Sequence, residues 1–298
     1  MRGMFSVVKN SRSLKRSALA LFIASLGSAT SFAGSTIISD PKDSPIVEVP
    51  TMATVRESRG LVTSEGPSGM FINPTTATLT QGTWAFGYCV VLTSQDTDIL
   101  GNHMFISYGV RDWLELGVIA HMVNVTVDGQ ELPKGDYGSG GPMARVRLHR
   151  DVGNWPEISI GAYATMGTEA LDSRNVFLGA SKTFPIDEKG FVKTVTFQGG
   201  FRESWIEAPA RTNTNRFYGG VEVQLPHDIY LIGEVTQFSH RKDEFTPWAA
   251  GIQWRGRRFG LTAAIVQSGD DDPPSIYLGI GGGLGAEPVR TPTRPDRP

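Results

Sequence analysis

The chain has 298 residues, only 19% of them charged, with 35 glycines, a single cysteine and a formal charge of −2. A chain without a basic excess has no electrostatic reason to bind nucleic acid. No apolar run beyond the N-terminal region approaches the roughly 20 residues of a membrane-spanning helix, which excludes a helical membrane protein. Cys89 has no partner for an intramolecular disulfide, so the fold must close through hydrogen bonds and Cys89 reads as a small inward filler.

In chain order, residues 1–33 read as a cleaved signal peptide. Arg2, Lys9, Arg12, Lys15 and Arg16 precede a short apolar core at 17–27, and Ser31-Phe32-Ala33 offers small residues at the two positions a signal peptidase reads. The core is too short to span a bilayer. Removal of the five cations makes the chain more acidic. Residues 34–59, with Pro41, Pro45 and Pro50, read as a flexible periplasmic leader. Residues 60–81 form a Gly/Pro/Thr-rich lead-in with two open readings, a plug inside a lumen or a simple periplasmic turn. At the other end, 285–298 carries Pro288, Pro292, Pro295 and Pro298 and reads as a disordered tail.

Between 82 and 284 apolar and polar residues alternate with period two. In 83–92, Trp84, Phe86, Tyr88, Val90 and Leu92 share one face, and Ala85, Gly87, Cys89 and Val91 the other. The same alternation predicts strands at 103–108, 114–121, 143–149, 157–165, 175–184, 192–202, 217–225, 229–237, 248–254, 259–266 and 275–281. That makes about twelve strands, most of them close to the ~9–11 residues that cross a bilayer when tilted. Their connections alternate. Those at 109–113, 150–156, 185–190, 226–228 and 255–258 are tight, while those at 93–102, 122–140, 166–174, 203–215, 238–245 and 267–274 are longer and more polar. Alternating connection length is the signature of a barrel with one rim in the periplasm and one outside. The predicted fold is all-β, a transmembrane antiparallel β-barrel in the outer membrane of a Gram-negative-type envelope, with both termini periplasmic. Trp84, Trp113, Trp155 and Trp254 at the short-turn end, and Trp205 and Trp248 at the long-loop end, are the expected membrane-interface aromatics.

The predicted lumen is polar. Its lining is read as Glu115, Arg145, Arg147, Tyr163, Gln198, Arg202, Glu222, Gln224, Glu234 and Gln253, with Glu115 facing Arg147 near the periplasmic mouth. Such charges serve either as internal ion pairs or as a constriction that selects solutes. No catalytic role, metal or cofactor is expected. His103, His121, His149, His227 and His240 have no metal-binding spacing, and Ser239-His240 falls in a loop. The run Asp270-Asp271-Asp272 lacks the ligand spacing of a calcium loop, and Gly281-Gly282-Gly283 closes a strand rather than opening a helix.

Gly60-Leu61, Ile72-Asn73-Pro74-Thr75-Thr76-Ala77, Gln81-Gly82-Thr83 and Phe86-Gly87-Tyr88 resemble the opening of YjbH-type outer-membrane barrels. The stretch from Ser107-Tyr108-Gly109 through Asp112-Trp113 to Leu116-Gly117 resembles that family's second and third strands with their tight turn. The similarity covers 60–121, and beyond it the match is one of architecture. Many family members are lipoproteins with a second barrel; here no cysteine lies near Ala33 and the length accommodates one barrel. The Asn73-Pro74 element is also similar to FadL-type transporters, whose barrels are larger. The resemblance implies an accessory of exopolysaccharide or envelope export. The functional expectation is therefore a narrow pore or such an accessory, or else a non-conducting barrel whose long loops, chiefly 122–140 and 203–215, bind a partner. Expected partners are outer-membrane lipid, the barrel assembly machinery, and a polysaccharide or small polar solute.

Overall fold

In a β-strand successive side chains point to opposite faces, so a strand that must satisfy lipid outside and a lumen inside alternates in sequence. In the computed structural model this alternation builds twelve strands: β1 (Trp84–Thr93), β2 (Thr97–Arg111), β3 (Leu114–Val127), β4 (Gln130–His149), β5 (Glu157–Gly167), β6 (Ser173–Pro185), β7 (Thr194–Ile206), β8 (Thr212–Gln224), β9 (Ile229–Phe238), β10 (Trp248–Arg255), β11 (Phe259–Gln267) and β12 (Ser275–Leu284). Each strand pairs antiparallel with its sequence neighbours, and β1 pairs with β12, so the sheet closes without a free edge. Closure satisfies the backbone groups that hydrocarbon cannot. Because the strand number is even, β1 begins and β12 ends at the same rim, where Trp84 lies opposite Leu284.

The structure describes residues 69–93, 97–127, 130–167, 172–206, 212–238, 246–256, 259–269 and 273–284. The signal sequence, the leader, residues 60–68 of the lead-in, Ser239-His240, the Asp270–272 run and the tail lie outside these. None of the described helical segments is long and apolar enough to cross a membrane.

The outer face is apolar from strand to strand: Phe86, Ile106, Val118, Leu178, Phe197, Phe217, Leu231, Ile252, Ile265 and Ile280 are all exposed. So large a continuous apolar surface is costly in water and fits hydrocarbon. All six tryptophans also point outward, at or just beyond strand ends.

One expectation is corrected. Three of the long polar connections, 93–102, 122–140 and 203–215, are largely strand. β1 runs to Thr93 and β2 starts at Thr97, while β3 runs to Val127 and β4, 20 residues long, starts at Gln130. Polarity in 93–102 and 122–140 marks where the chain leaves hydrocarbon, not where pairing stops, since hairpin hydrogen bonds form equally well above the bilayer. The wall therefore rises furthest at β2–β4, while β10 and β11 have only 8 and 9 residues.

Candidate functional site: the lumen and its inserted segment

The residues ahead of β1 run inside the barrel. Gly69 bridges to Pro74 around a tight turn, and Met70, Phe71, Ile72, Asn73, Thr76, Ala77, Thr78 and Leu79 are all buried. Residues 69–81 thus lie against inward side chains of the wall. Gly82, at φ +80°, turns the chain from this segment into β1. Beside it the segment leaves the lumen against β2, with Gly82 N–H donating to Gly109 O at 2.8 Å. A Cβ on Gly109 would come within 2.1 Å of Thr80 O, so only glycine allows this approach.

The tip of the segment rests on one carboxylate. Glu234 of β9 accepts the backbone N–H of Phe71 (2.8 Å), Ile72 (2.5 Å) and Asn73 (3.2 Å), together with the Asn73 side-chain amide (2.9 Å). The same amide donates to Thr236 at 2.8 Å, and the Phe71 ring meets Tyr277 edge-on at 5.7 Å. Lower down, Gln198 donates to Pro74 O, Thr76 bonds Ser181 at 2.6 Å, and Arg145 donates to Ala77 O. At the base, Leu79 N–H reaches Glu115, while Thr78 and Gln81 reach Asp112 in the β2–β3 turn. The polar anchors contribute about 0.5–1.5 kcal/mol each, and Met70, Phe71, Ile72 and Leu79 add apolar packing in one buried cluster with Phe105, Ile119, Met143, Ile232 and Tyr277 of the wall.

All ten predicted lining residues lie on strands whose inward positions are the buried ones. Glu115, Arg145, Arg202 and Gln253 have no exposed surface, Tyr163, Gln198, Glu222 and Glu234 are buried, and Arg147 and Gln224 are partly so. The expected Glu115–Arg147 pairing is corrected. Glu115 stands in register with Arg145, 3.9 Å away, and Arg147 pairs instead with Glu157 at 3.8 Å. The register of β3 on β4 is set by their shared hairpin at the far rim, with a shift between Asn124 and Thr126. A reading from the near rim therefore placed the partners one inward position apart.

A third buried pair, Arg255–Glu222, was missed, as was the Tyr230 ring that Arg255 covers at 4.0 Å. Arg255 lies two residues beyond Gln253 on the same face, so extending the alternation by one step would have found it. Also missed were the buried His103 and His121, whose Nδ1 atoms lie 2.6 Å apart across β2 and β3. Among the described residues no group of three or more His, Cys, Asp or Glu is arranged to hold a metal.

The lumen is not polar throughout. Phe105, Ile119, Met143, Phe177, Ile232, Val266 and Tyr277 point inward with the charged groups, and Cys89 is buried among them. With the tip of the segment seated, Phe71 and Asn73 have no exposed surface.

No family model matches the chain, and no curated protein does. Several solved structures are similar to it. The KdgM porin is 9% identical, with a TM-score of 0.46 over 66% of this chain and 98% of that one. An outer membrane channel from Pseudomonas putida F1 is 13% identical, with a TM-score of 0.45 over 70% and 97%. The translocator domain of the autotransporter NalP from Neisseria meningitidis is 14% identical, with a TM-score of 0.43 over 69% and 89%.

Proposed function

We propose that this barrel is an outer-membrane pore closed by its own lead-in segment, with both termini on the periplasmic side. The observation that carries this reading is the manner of closure. Residues 69–81 lie in the lumen and are held by side chain–backbone hydrogen bonds, above all those to Glu234, and by apolar contacts of Met70, Phe71, Ile72 and Leu79, rather than by strand pairing with the wall. A segment held this way leaves the lumen without unfolding the sheet. Its departure exposes a lining of charged and amide groups suited to a hydrated solute. The reading assigns no catalytic role. The resemblance of 60–121 to YjbH-type barrels supports a place in envelope or exopolysaccharide export, with the barrel assembly machinery and outer-membrane lipid as partners.

A second reading has its own support. Complete burial of the segment suits a non-conducting scaffold that binds a partner at the tall β2–β4 rim. Planar-bilayer recordings separate the two. The pore reading expects rare openings in the wild type and frequent ones in Glu234→Ala. A silent Glu234→Ala barrel that still inserts and shows heat-dependent gel migration favours the scaffold.

A further inference from the structure

One register row of the inner wall gathers nitrogen and sulfur donors. It runs Gly279, Cys89, His103, His121, Ser139 and Gly167, from β12 through β1, β2, β3 and β4 to β5. Side chains directly opposite each other on neighbouring strands start about 4.5–5.5 Å apart at Cβ, close enough for two imidazoles to share one small ligand. His103 and His121 do converge. Their Nδ1 atoms are 2.6 Å apart, both rings are buried, and the rings meet edge to face with centroids 4.9 Å apart. Gly101 makes room for this pose, since a Cβ there would lie 2.9 Å from His103 Nε2.

In a contact between two Nδ1 atoms one ring donates and the other accepts, so a single proton lies between them. A transition metal ion takes that proton's place. The proton moves to Nε2 of its own ring, and both Nδ1 lone pairs then face the ion with no net gain or loss of protons. Metal–nitrogen bonds of about 2.0–2.1 Å set two such ligands about 2.9–3.3 Å apart, so ring rotations that part the atoms by about half an ångström suffice.

The surroundings favour a borderline ion over a hard one. The row carries no carboxylate, and the rows on either side, Phe105 opposite Ile119 and Gly101 opposite Val123, are apolar. Calcium and magnesium need several oxygen ligands, whereas imidazole suits copper, nickel and zinc. Beyond His121 the Ser139 hydroxyl is buried and makes no hydrogen bond, and a water carried by the ion would satisfy it. Cys89, beside His103, already bonds Tyr277 and the His103 backbone. The ligands are therefore two imidazoles and solvent, in keeping with the lack of any three-residue metal group among the described residues.

We propose that His103 and His121 form a two-imidazole seat for one divalent transition cation, Cu²⁺, Ni²⁺ or Zn²⁺, on the inner wall. The seat belongs to the wall and stands independently of the pore reading.

The test is calorimetric titration of the full chain in detergent, purified without a polyhistidine tag, with Cu²⁺, Zn²⁺ and Ca²⁺ as probes. The reference chain carries His149→Gln, His227→Gln and His240→Gln, which removes the other imidazoles. One Cu²⁺ or Zn²⁺ per chain is expected, with Cu²⁺ the tighter and no binding of Ca²⁺. Adding His103→Gln or His121→Gln should each weaken binding about tenfold or more, because the second imidazole binds within the same molecule. No saturable binding of Cu²⁺ to the reference chain overturns the seat. Unchanged affinity in either added variant also overturns it and leaves an adventitious ion only, and so does equal binding of Ca²⁺. If the variants do not fold, as judged by heat-dependent gel migration, electron paramagnetic resonance of the Cu²⁺-loaded wild type decides. Coupling to two imidazole nitrogens supports the seat, and coupling to one or none overturns it.

Discussion

The tip and the base of the inserted segment are anchored in opposite ways. At the tip one carboxylate, Glu234, gathers three consecutive backbone N–H groups and an amide. At the base the bonds are spread over Asp112, Glu115 and Arg145, on three parts of the wall. A concentrated anchor fails all at once, whereas a distributed one fails by degrees. The difference makes the tip the element that releases and the base the element that stays, as in a hinged stopper.

Substitutions test that asymmetry in order of expected size. Glu234→Ala removes the acceptor of four bonds at the tip, leaving the Asn73–Thr236 bond, and each buried donor left unmet costs about 1–3 kcal/mol. The tip should therefore leave the lumen, seen as increased conductance and protease cleavage near Asn73. Arg145→Ala leaves Glu115 buried without its counter-charge, a loss of about 3–5 kcal/mol in denaturant unfolding from liposomes. It should open the pore less than Glu234→Ala, because Thr78 and Gln81 still hold the base. Comparable opening by both variants would break the comparison. Asn73→Ala deletes the amide bonds to Glu234 and Thr236 and should lower stability by about 1–2 kcal/mol, with a small rise in opening frequency. Smallest is Gln198→Met, which removes one bond to Pro74 O and should cost about 1 kcal/mol or less while barely changing conductance.

The two faces of the wall were unequally legible in the sequence. Alternation alone assigned Phe86, Val118 and Phe217 outward and Glu115, Arg202 and Glu234 inward, because pleating leaves a side chain only two directions. Which inward groups meet depends on register, and register is fixed at the hairpins. That is why Glu115 found Arg145 rather than Arg147. The strand extensions of β2 to β4 were hidden because polarity there resembles a loop. The path of 69–81 was the least legible part. The segment has no period, and its key contact joins Phe71 to Glu234 across 163 residues, a distance over which local pattern carries no signal.

The most direct test of the central claim ties the segment to the wall. The hydroxyls of Thr76 and Ser181 lie 2.6 Å apart, so Thr76→Cys with Ser181→Cys, in a Cys89→Ala background, brings two thiols together inside the lumen. Single-channel current would be recorded from one preparation, oxidised and then reduced. A gate made by residues 69–81 predicts silence when the disulfide is closed and openings once it is reduced. Equal current in both states, with the cross-link verified, would contradict it.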